Sequence, residues 1–379
     1  MKSKTILFIV VVICFLDLFI QLPIVTPFAL ELGASEFMAG IVVAMYSLFN
    51  MVGNMAGGFL SDKYGRKNTL LVGMFLQIFF VLIYTMTPSI PILLVVRALH
   101  GFSSGILTPA AFSLVGDVSR KSAIGKSMAL TGAAIGTAAI LGPATGGIIS
   151  STMSYEMVYY ILSVTYVVGT LLVFFAIKES TTDDSRGHHS QTAFKELLLR
   201  PSLNVAYISS FTLMVAQGTL AFGLPIKTDS LGLESSATGM MLSVFGITAI
   251  VVFLTPINRI YTNYKSEALV ALGILVLSIS MITIQIVPSA FGIFVVMVIY
   301  GLGFALTFPS MNKIIAESSE MHERGKANGI FYSYFSLGSV AGSTLAGYFT
   351  TAFGLPFFGI GFVTLLMLGL MLFVRAKWV

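Results

Sequence analysis

Residues 58–67 read GFLSDKYGRK, a short polar stretch that carries four charged side chains within ten residues. It lies between two long apolar runs, residues 36–59 and 69–87. A helix needs about 20 mostly apolar residues to cross the hydrocarbon core of a bilayer. The stretch therefore indicates two membrane helices joined by a tight, basic turn.

The same alternation of apolar runs and short polar loops extends over the whole chain of 379 residues, of which 56% are apolar and 10% are charged. Soluble domains carry about 25% charged residues, so a soluble globular enzyme and a disordered chain are both excluded. We expect an all-α membrane protein with twelve transmembrane helices. These spans one to twelve lie at about residues 5–28, 36–59, 69–87, 91–116, 128–150, 157–177, 202–226, 237–257, 267–287, 291–316, 327–350 and 357–374.

The basic residues indicate the orientation of the chain. With the N-terminus in the cytoplasm, 19 of the 21 Lys and Arg residues fall in cytoplasmic segments, while Lys227 falls in an outer loop and Arg97 within span four. Cytoplasmic loops of membrane proteins are enriched in Lys and Arg, so both termini are expected to be cytoplasmic. The net charge of +5 follows this loop pattern rather than a single basic surface, and no nucleic-acid partner is expected.

An internal repeat divides the chain into two similar halves. Four residues of one cytoplasmic loop and its flanks, Gly101, Pro109, Gly125 and Lys126, recur at an offset of 200 as Gly301, Pro309, Gly325 and Lys326. Two repeats of six spans predict a pseudo-symmetric bundle with a substrate site near the bilayer midplane. The predicted domains are residues 1–177, a cytoplasmic linker at 178–200 and residues 201–379.

The linker is the longest polar segment. His188 and His189 lie in it side by side, but no third ligand with suitable spacing accompanies them, so a solvated hinge is favoured over a metal site. Its last residues, 192–200, could form a short amphipathic helix on the membrane surface. The single cysteine, Cys14, lies within span one, which excludes an intrachain disulfide and a cysteine-based metal cluster.

Two charged residues lie in the interior of the predicted spans of the first half, away from the span ends. Asp17 is near the middle of span one, where a carboxylate costs at least about 2.5–3.5 kcal/mol on insertion scales, and Gln21 lies one turn further on the same helical face. Because burial favours the neutral form of a carboxyl group, Asp17 is a candidate for proton exchange. Arg97 in span four is either its partner or an arginine that extends to the outer interface.

The second half has Met297 at the position that corresponds to Arg97, and the charged residues of its spans, Glu267 and Lys313, lie only at span ends. Proton coupling is therefore expected in the first half, opposite a more apolar surface. Polar and amphipathic side chains of the spans are the candidates for a substrate cavity. They are Gln21, His100, Gln217, Tyr300, Tyr332, Tyr334 and Ser336.

Three motifs resemble those of the major facilitator superfamily. Residues 58–67 resemble its signature loop, G-x-L-x-D-[RK]-x-G-[RK]-[RK]. In span four, residues 97–101 (RALHG) are similar to the R-x-x-Q-G element, with His100 in the place of the usual glutamine. In span five, residues 142–147 (GPATGG) are similar to the G-P-x-x-G-G element of proton-driven exporters, although Ala138 replaces the glycine usually found four residues earlier.

The resemblance assigns roles to the residues of these motifs. The signature loop would form a cytoplasmic gate, with Asp62 capping the start of span eleven, Gly65 permitting the tight turn and Arg66 reaching Asp117 at the base of span four. In span five, Pro143 is expected to bend the helix while its glycines allow close helix packing. The complete sets are Gly58, Asp62, Gly65, Arg66, Lys67 and Asp117 for the gate, and Gly142, Pro143, Gly146 and Gly147 for the bend.

Over the whole chain the resemblance points to the drug:proton antiporter branch of bacterial multidrug efflux proteins. It implies a monomer in the bacterial cytoplasmic membrane that exports amphipathic small molecules in exchange for protons, by alternating access of its two halves. A dedicated exporter of a sugar, nucleoside, metal-chelating compound or lipid is the alternative. A transport-dead sensor is disfavoured by the intact Asp17 and signature loop. We expect no enzyme, no cofactor and no metal, because the chain lacks HExxH, GxSxG and P-loop motifs.

Overall fold

A computed structural model describes residues 2–117, 124–179, 194–320 and 323–376, and these residues are almost entirely helical. The helices are α1 (Lys2–Ile20), α2 (Val25–Glu31), α3 (Glu36–Tyr64), α4 (Arg66–Ile83), α5 (Ile90–Asp117), α6 (Ile124–Thr152), α7 (Tyr155–Ala176), α8 (Phe194–Leu199), α9 (Pro201–Ser230), α10 (Ser235–Leu254), α11 (Ile260–Asn263), α12 (Ser266–Ile286), α13 (Ala290–Ser318), α14 (Arg324–Phe353) and α15 (Pro356–Ala376).

Ten of the described helices are long and apolar enough to cross a membrane, and the bent pair α1–α2 forms a further span. The twelfth span is α14, whose 30 residues extend about 45 Å at 1.5 Å per residue but include many Gly and Ser. The predicted all-α fold with twelve transmembrane helices is confirmed. Spans two to six correspond to α3–α7, span seven to α9, span eight to α10, and spans nine to twelve to α12–α15.

The first span differs from the predicted continuous helix, because α1 ends at Ile20 and α2 begins at Val25 at an angle of 43°. Pro23 lies in the break and has no N–H group to donate to the helical ladder. The turn is closed instead by a hydrogen bond of 3.2 Å from the Leu22 amide to the Phe19 carbonyl. Gln21 therefore lies in the turn directly after α1, four residues beyond the buried Asp17.

The chain forms two compact units. The first comprises Met1–Ala34, Met45–Asp183 and Leu233–Ser243, and the second comprises Ser35–Ala44, Asp184–Gly232 and Val244–Val379. Within the second unit, α9 and α14 pack closely because small residues allow their backbones to approach. A Cβ atom added at Gly342 would collide with the backbone of Val215, and one added at Gly218 would collide with that of Ser339.

The short helix α8 falls within the segment for which a surface helix was predicted. Residues 180–193 of the linker, with His188 and His189, lie outside the described residues. Arg200 directly precedes α9, and its guanidinium forms a bidentate ion pair with Glu323, which directly precedes α14. The same guanidinium donates 3.0 Å to the Ser318 carbonyl at the end of α13. The hydrogen bonds to Glu323 raise the pKa of Arg200, so this pair stays charged at neutral pH.

Candidate functional site

The Asp17 carboxylate is fully buried and accepts hydrogen bonds from Gln21, just after its own helix, and from two other helices, while a histidine of a third lies within hydrogen-bond distance. Gln21 Nε2 donates to Oδ1 at 2.7 Å. Gln77 Nε2 on α4 and the Tyr166 hydroxyl on α7 each donate to Oδ2 at 3.1 Å. His100 Nε2 on α5 lies 2.9 Å from the same Oδ2 atom. One carboxylate thereby joins α1, α4, α5 and α7.

Arg97 is connected to this carboxylate through an amide. Its Nη1 donates to Gln21 Oε1 at 2.8 Å, and the amide nitrogen of the same Gln21 donates to Asp17. The guanidinium lies 4.8 Å from the centre of the Tyr46 ring. Only 4% of Arg97 is exposed, so the side chain is enclosed by the protein.

A second layer of side chains orients the groups that contact Asp17. Ser103 Oγ donates to Gln77 Oε1 at 2.8 Å, which directs the Gln77 amide nitrogen towards Asp17. The Tyr84 hydroxyl lies 3.1 Å from His100 Nδ1, so both ring nitrogens of His100 have a partner. The rings of Tyr46 and Tyr84 also contact the imidazole edge-on, with centroids 5.2 and 5.5 Å away. Such partners lock the rotamer and tautomer of the histidine.

The structure thus brings together four residues singled out from the sequence, Asp17, Gln21, Arg97 and His100. We call these four, with Gln77, Tyr84 and Tyr166, the Asp17 cluster. The last three were not predicted. Gln77 and Tyr166 are polar residues in otherwise apolar spans, the same signal that identified Asp17, and Tyr84 lies in a 3₁₀ turn after α4.

The cavity candidates of the second unit lie in separate groups. The Tyr300 hydroxyl on α13 donates 3.1 Å to Gln217 Oε1 on α9. Tyr334 on α14 stacks on Tyr207 of α9, with ring centroids 5.5 Å apart. Ser336 is buried, whereas Tyr332 is 44% exposed. Tyr207, which was not predicted, has a buried hydroxyl without a hydrogen-bond partner among the described residues.

The signature loop is held within the first unit. Gly65 adopts a φ of +93°, in the region that favours glycine, and α4 begins at the next residue. The carboxylate of Glu179, after α7, accepts from the backbone amides of Lys67 and Asn68 at 3.0 and 3.1 Å. Glu179 therefore caps the positive N-terminal end of α4, a role not predicted from the sequence.

Two basic side chains of the loop bind backbone carbonyls. Arg66 Nη1 donates 3.2 Å to Ser113 on α5, and Lys67 Nζ donates 2.8 Å to Phe174 on α7. A Cβ atom at Gly58 would meet open space. The side chains of Asp62 and Asp117 lie outside the described residues, and with them the proposed contacts of the two carboxylates.

The span-five motif lies within the continuous helix α6, which includes Pro143. A Cβ atom at Gly142 would lie 2.7 Å from Cβ of Phe19 on α1, and one at Gly146 would collide with the Ile20 carbonyl. A Cβ atom at Gly147 would collide with the Ser235 carbonyl at the start of α10. The motif glycines therefore bring α6 against the segment of α1 that follows Asp17.

Comparison with known proteins agrees with this architecture. A family model described as the Major Facilitator Superfamily matches residues 7–312 and 206–377. Multidrug resistance protein 2 of Bacillus subtilis is 23% identical over 392 residues, which cover 99% of this chain and 96% of the relative. The quinolone resistance protein NorA of Staphylococcus aureus is 23% identical over 361 residues, covering 91% and 89%.

Among solved structures, a peptide transporter named POT in complex with sulfate superposes with a TM-score of 0.82. The superposition covers 99% of this chain and 94% of that structure at 13% identity, so the likeness concerns the fold. The family model, in contrast, matches the sequence over nearly its whole length. This chain therefore belongs to the Major Facilitator Superfamily and is a membrane transporter.

Proposed function

We propose that this transporter is a proton-coupled antiporter that exports amphipathic small molecules by alternating access. The buried Asp17 carboxylate, hydrogen-bonded to His100 and linked through Gln21 to Arg97, carries the proposal. Ionisable side chains within a membrane are costly and mark ion or proton pathways. A cluster that can gain and lose a proton gives the transporter a way to use the proton gradient.

The class of substrate is inferred from the relatives and from the second unit. Two relatives are named for resistance to multiple drugs and to quinolones. In this chain the Gln217–Tyr300 pair and the Tyr207–Tyr334 stack combine aromatic rings with hydrogen-bonding groups in the interior of the second unit. Aromatic and Met-rich surfaces can repack around varied apolar ligands. We propose these groups as contacts for a flat, amphipathic substrate.

The proposed setting is the bacterial cytoplasmic membrane, with both termini in the cytoplasm and the protein acting as a monomer. The distribution of Lys and Arg supports this orientation, since 19 of the 21 lie in segments on one side. The proposed partners are the small-molecule substrate, protons and the surrounding lipid.

The test uses purified protein in liposomes with an imposed pH gradient. Ethidium and a fluoroquinolone serve as probes, and liposomes without protein or without a gradient serve as controls. We expect protein-dependent accumulation of a probe on the more acidic side, which collapses when an ionophore removes the gradient. A gradient-independent flux would refute proton coupling.

A protein that moves protons only when sugars, nucleosides, metal chelators or lipids are supplied would instead be a dedicated exporter. Substrate-induced acidification or alkalinisation of a weakly buffered liposome suspension separates these two cases. If no compound produces a flux, the alternative of a transport-dead sensor is favoured.

A further inference from the structure

One hydrogen bond to Asp17 has a direction fixed by its neighbours. The Gln21 oxygen accepts from Arg97, whose guanidinium can only donate, so the Gln21 amide nitrogen faces Asp17. An amide nitrogen donates and has no lone pair with which to accept a hydrogen bond. A proton added to Oδ1 of Asp17 would therefore point at the Gln21 amide and displace an existing donor.

The other carboxylate oxygen is equally occupied. Three atoms lie within 3.1 Å of Oδ2, namely Gln77 Nε2, the Tyr166 hydroxyl oxygen and His100 Nε2. Hydrogen bonds donated to a carboxylate stabilise its ionised form. These contacts place Asp17 as an acceptor and as a counter-ion for a neighbour that takes up a proton.

His100 can take up a proton without losing a partner. When Nε2 carries a hydrogen and faces Asp17, Nδ1 has a lone pair and faces the Tyr84 hydroxyl at 3.1 Å. A hydroxyl can both donate and accept by rotating its hydrogen. Tyr84 can therefore donate to the neutral imidazole and accept from the protonated one, while Asp17 serves as the counter-ion 2.9 Å away.

Several titratable and charged groups surround His100 and its counter-ion Asp17. They are Cys14 and Asp17 on α1, Tyr46 on α3, Tyr84 after α4, Arg97 on α5, and Tyr159 and Tyr166 on α7. Arg97 and ionised Asp17 balance each other when His100 is neutral. A proton on His100 gives the cluster a net positive charge, so its gain or loss changes the field inside the first unit.

We propose that His100, through Nδ1, is the residue that takes up the exchanged proton, with Asp17 as its counter-ion and Tyr84 as the hydroxyl that changes from donor to acceptor. The proton comes from water on one side, forms an N–H bond at Nδ1 and leaves to water on the other side. This inference rests on the proposed proton coupling and identifies the proton carrier within it.

The direct test observes the imidazole itself. The chain has four histidines, so replacing His188, His189 and His322 by Gln leaves His100 as the single histidine. Solid-state NMR of the 15N-histidine-labelled protein in liposomes then reports the protonation of each ring nitrogen between pH 5 and 9. We expect Nδ1 to become protonated over the pH interval in which flux changes. An imidazole that stays in the neutral Nε2–H form throughout that interval overturns the inference.

Two tyrosine variants give opposite expectations. In Tyr84→Phe the protonated imidazole loses its acceptor, and because a hydrogen bond from a charged donor is stronger than a neutral one, the pH profile of flux should move about one pH unit towards acid. In Tyr166→Phe the Asp17 anion loses a donor, so the profile should move towards alkali. Shifts in the same direction, or unchanged profiles in two folded variants, contradict the proposed carrier.

His100→Gln separates the two possible carriers. The glutamine cannot be protonated in this pH range, so proton-driven accumulation of the probe should be lost, whereas accumulation that persists would make Asp17 the carrier. Size-exclusion chromatography and thermal unfolding confirm that each variant is folded. A wild-type protein without proton-driven flux refutes the proposed function and this inference together, while a coupled wild type with an uncharged His100 refutes the inference alone.

Discussion

The Gln21 amide lies between Arg97 and Asp17, accepting a hydrogen bond of 2.8 Å from the guanidinium and donating one of 2.7 Å to the carboxylate. A positive and a negative charge are thereby held in the membrane-spanning part of the chain without direct contact. The polarised amide transmits the interaction between them. Any change at this one side chain alters the electrostatics of both.

Gln21→Leu should uncouple the Asp17 cluster, because it removes the Gln21 oxygen that accepts from Arg97 and one of the donors to Asp17. We expect proton-driven accumulation to be lost and the free energy of unfolding to fall by about 1–3 kcal/mol. Flux assays and unfolding in mixed micelles measure both. Gln285→Leu is the matched control, since its amide accepts from the Phe357 backbone in the second unit and its loss should lower stability without uncoupling flux.

Asp17→Asn should abolish accumulation against a gradient while preserving substrate binding and downhill equilibration. The amide has the size of the carboxyl group but cannot balance a protonated His100. Measuring probe binding to the detergent-solubilised variant beside flux in liposomes tests this expectation. Uphill accumulation by the variant would show that Asp17 is not needed for coupling.

Arg97→Lys should fail although it keeps the charge. The guanidinium is planar and reaches Gln21 and the Tyr46 ring from one position, whereas an ammonium group is a compact point charge. Proton-driven flux should fall by about tenfold or more, the equivalent of one lost charge-assisted hydrogen bond. Wild-type flux in this variant would indicate that only the charge of Arg97 matters.

Glu179→Gln tests the cap on α4. The substitution removes the negative charge and one of the two acceptors that bind the amides of Lys67 and Asn68. Loss of a helix cap costs about 0.5–2 kcal/mol, so the unfolding midpoint should fall by a corresponding amount. Amide hydrogen exchange should rise in the first turn of α4, and unchanged protection there would argue against the cap.

Glu323→Gln tests the buried ion pair with Arg200. Glu323 is 3% exposed, so we expect a loss of about 1–3 kcal/mol in the free energy of unfolding. The pair raises the pKa of Arg200. The contribution of the charged guanidinium to stability is therefore fully present below the ordinary pKa of arginine and is lost only at strongly alkaline pH. The loss should therefore be similar at pH 6 and 9.

The exposed pair Lys313–Glu317, 3.8 Å apart with side chains 40% and 63% exposed, provides the control for that variant. Surface pairs contribute about 0–1 kcal/mol, so Glu317→Gln should leave the unfolding midpoint nearly unchanged. Equal effects of the two substitutions would mean that burial does not strengthen the Arg200–Glu323 pair.

The alternation of apolar runs and polar loops was sufficient to predict the all-α membrane fold with twelve spans, because lipid requires long apolar helices. It did not predict the break at Pro23, since a proline within an apolar run is also compatible with a kinked continuous helix. It identified Asp17, Gln21, Arg97 and His100 as unusual, because a polar group in lipid is costly wherever it points.

The partners of Asp17 on other helices could not be predicted in the same way. Gln77 and Tyr166 are 60 and 149 residues from Asp17, and their contacts depend on how α4 and α7 are rotated about their axes. A weak repeat and a hydropathy profile carry no information on that rotation. Glu179 was missed for a related reason, since it caps a helix 112 residues earlier in the chain.

The four-helix origin of the Asp17 cluster has a consequence for the synthesis of the protein. Tyr166 follows Asp17 by 149 residues, and at about 5–20 residues per second a ribosome needs roughly 7–30 s to add them. During this time the first helix must remain in the membrane with its carboxyl group incompletely paired, at a cost of a few kcal/mol. Chains truncated before α7 should therefore retain α1 in the bilayer less efficiently than full-length chains, and Asp17→Leu should remove that difference.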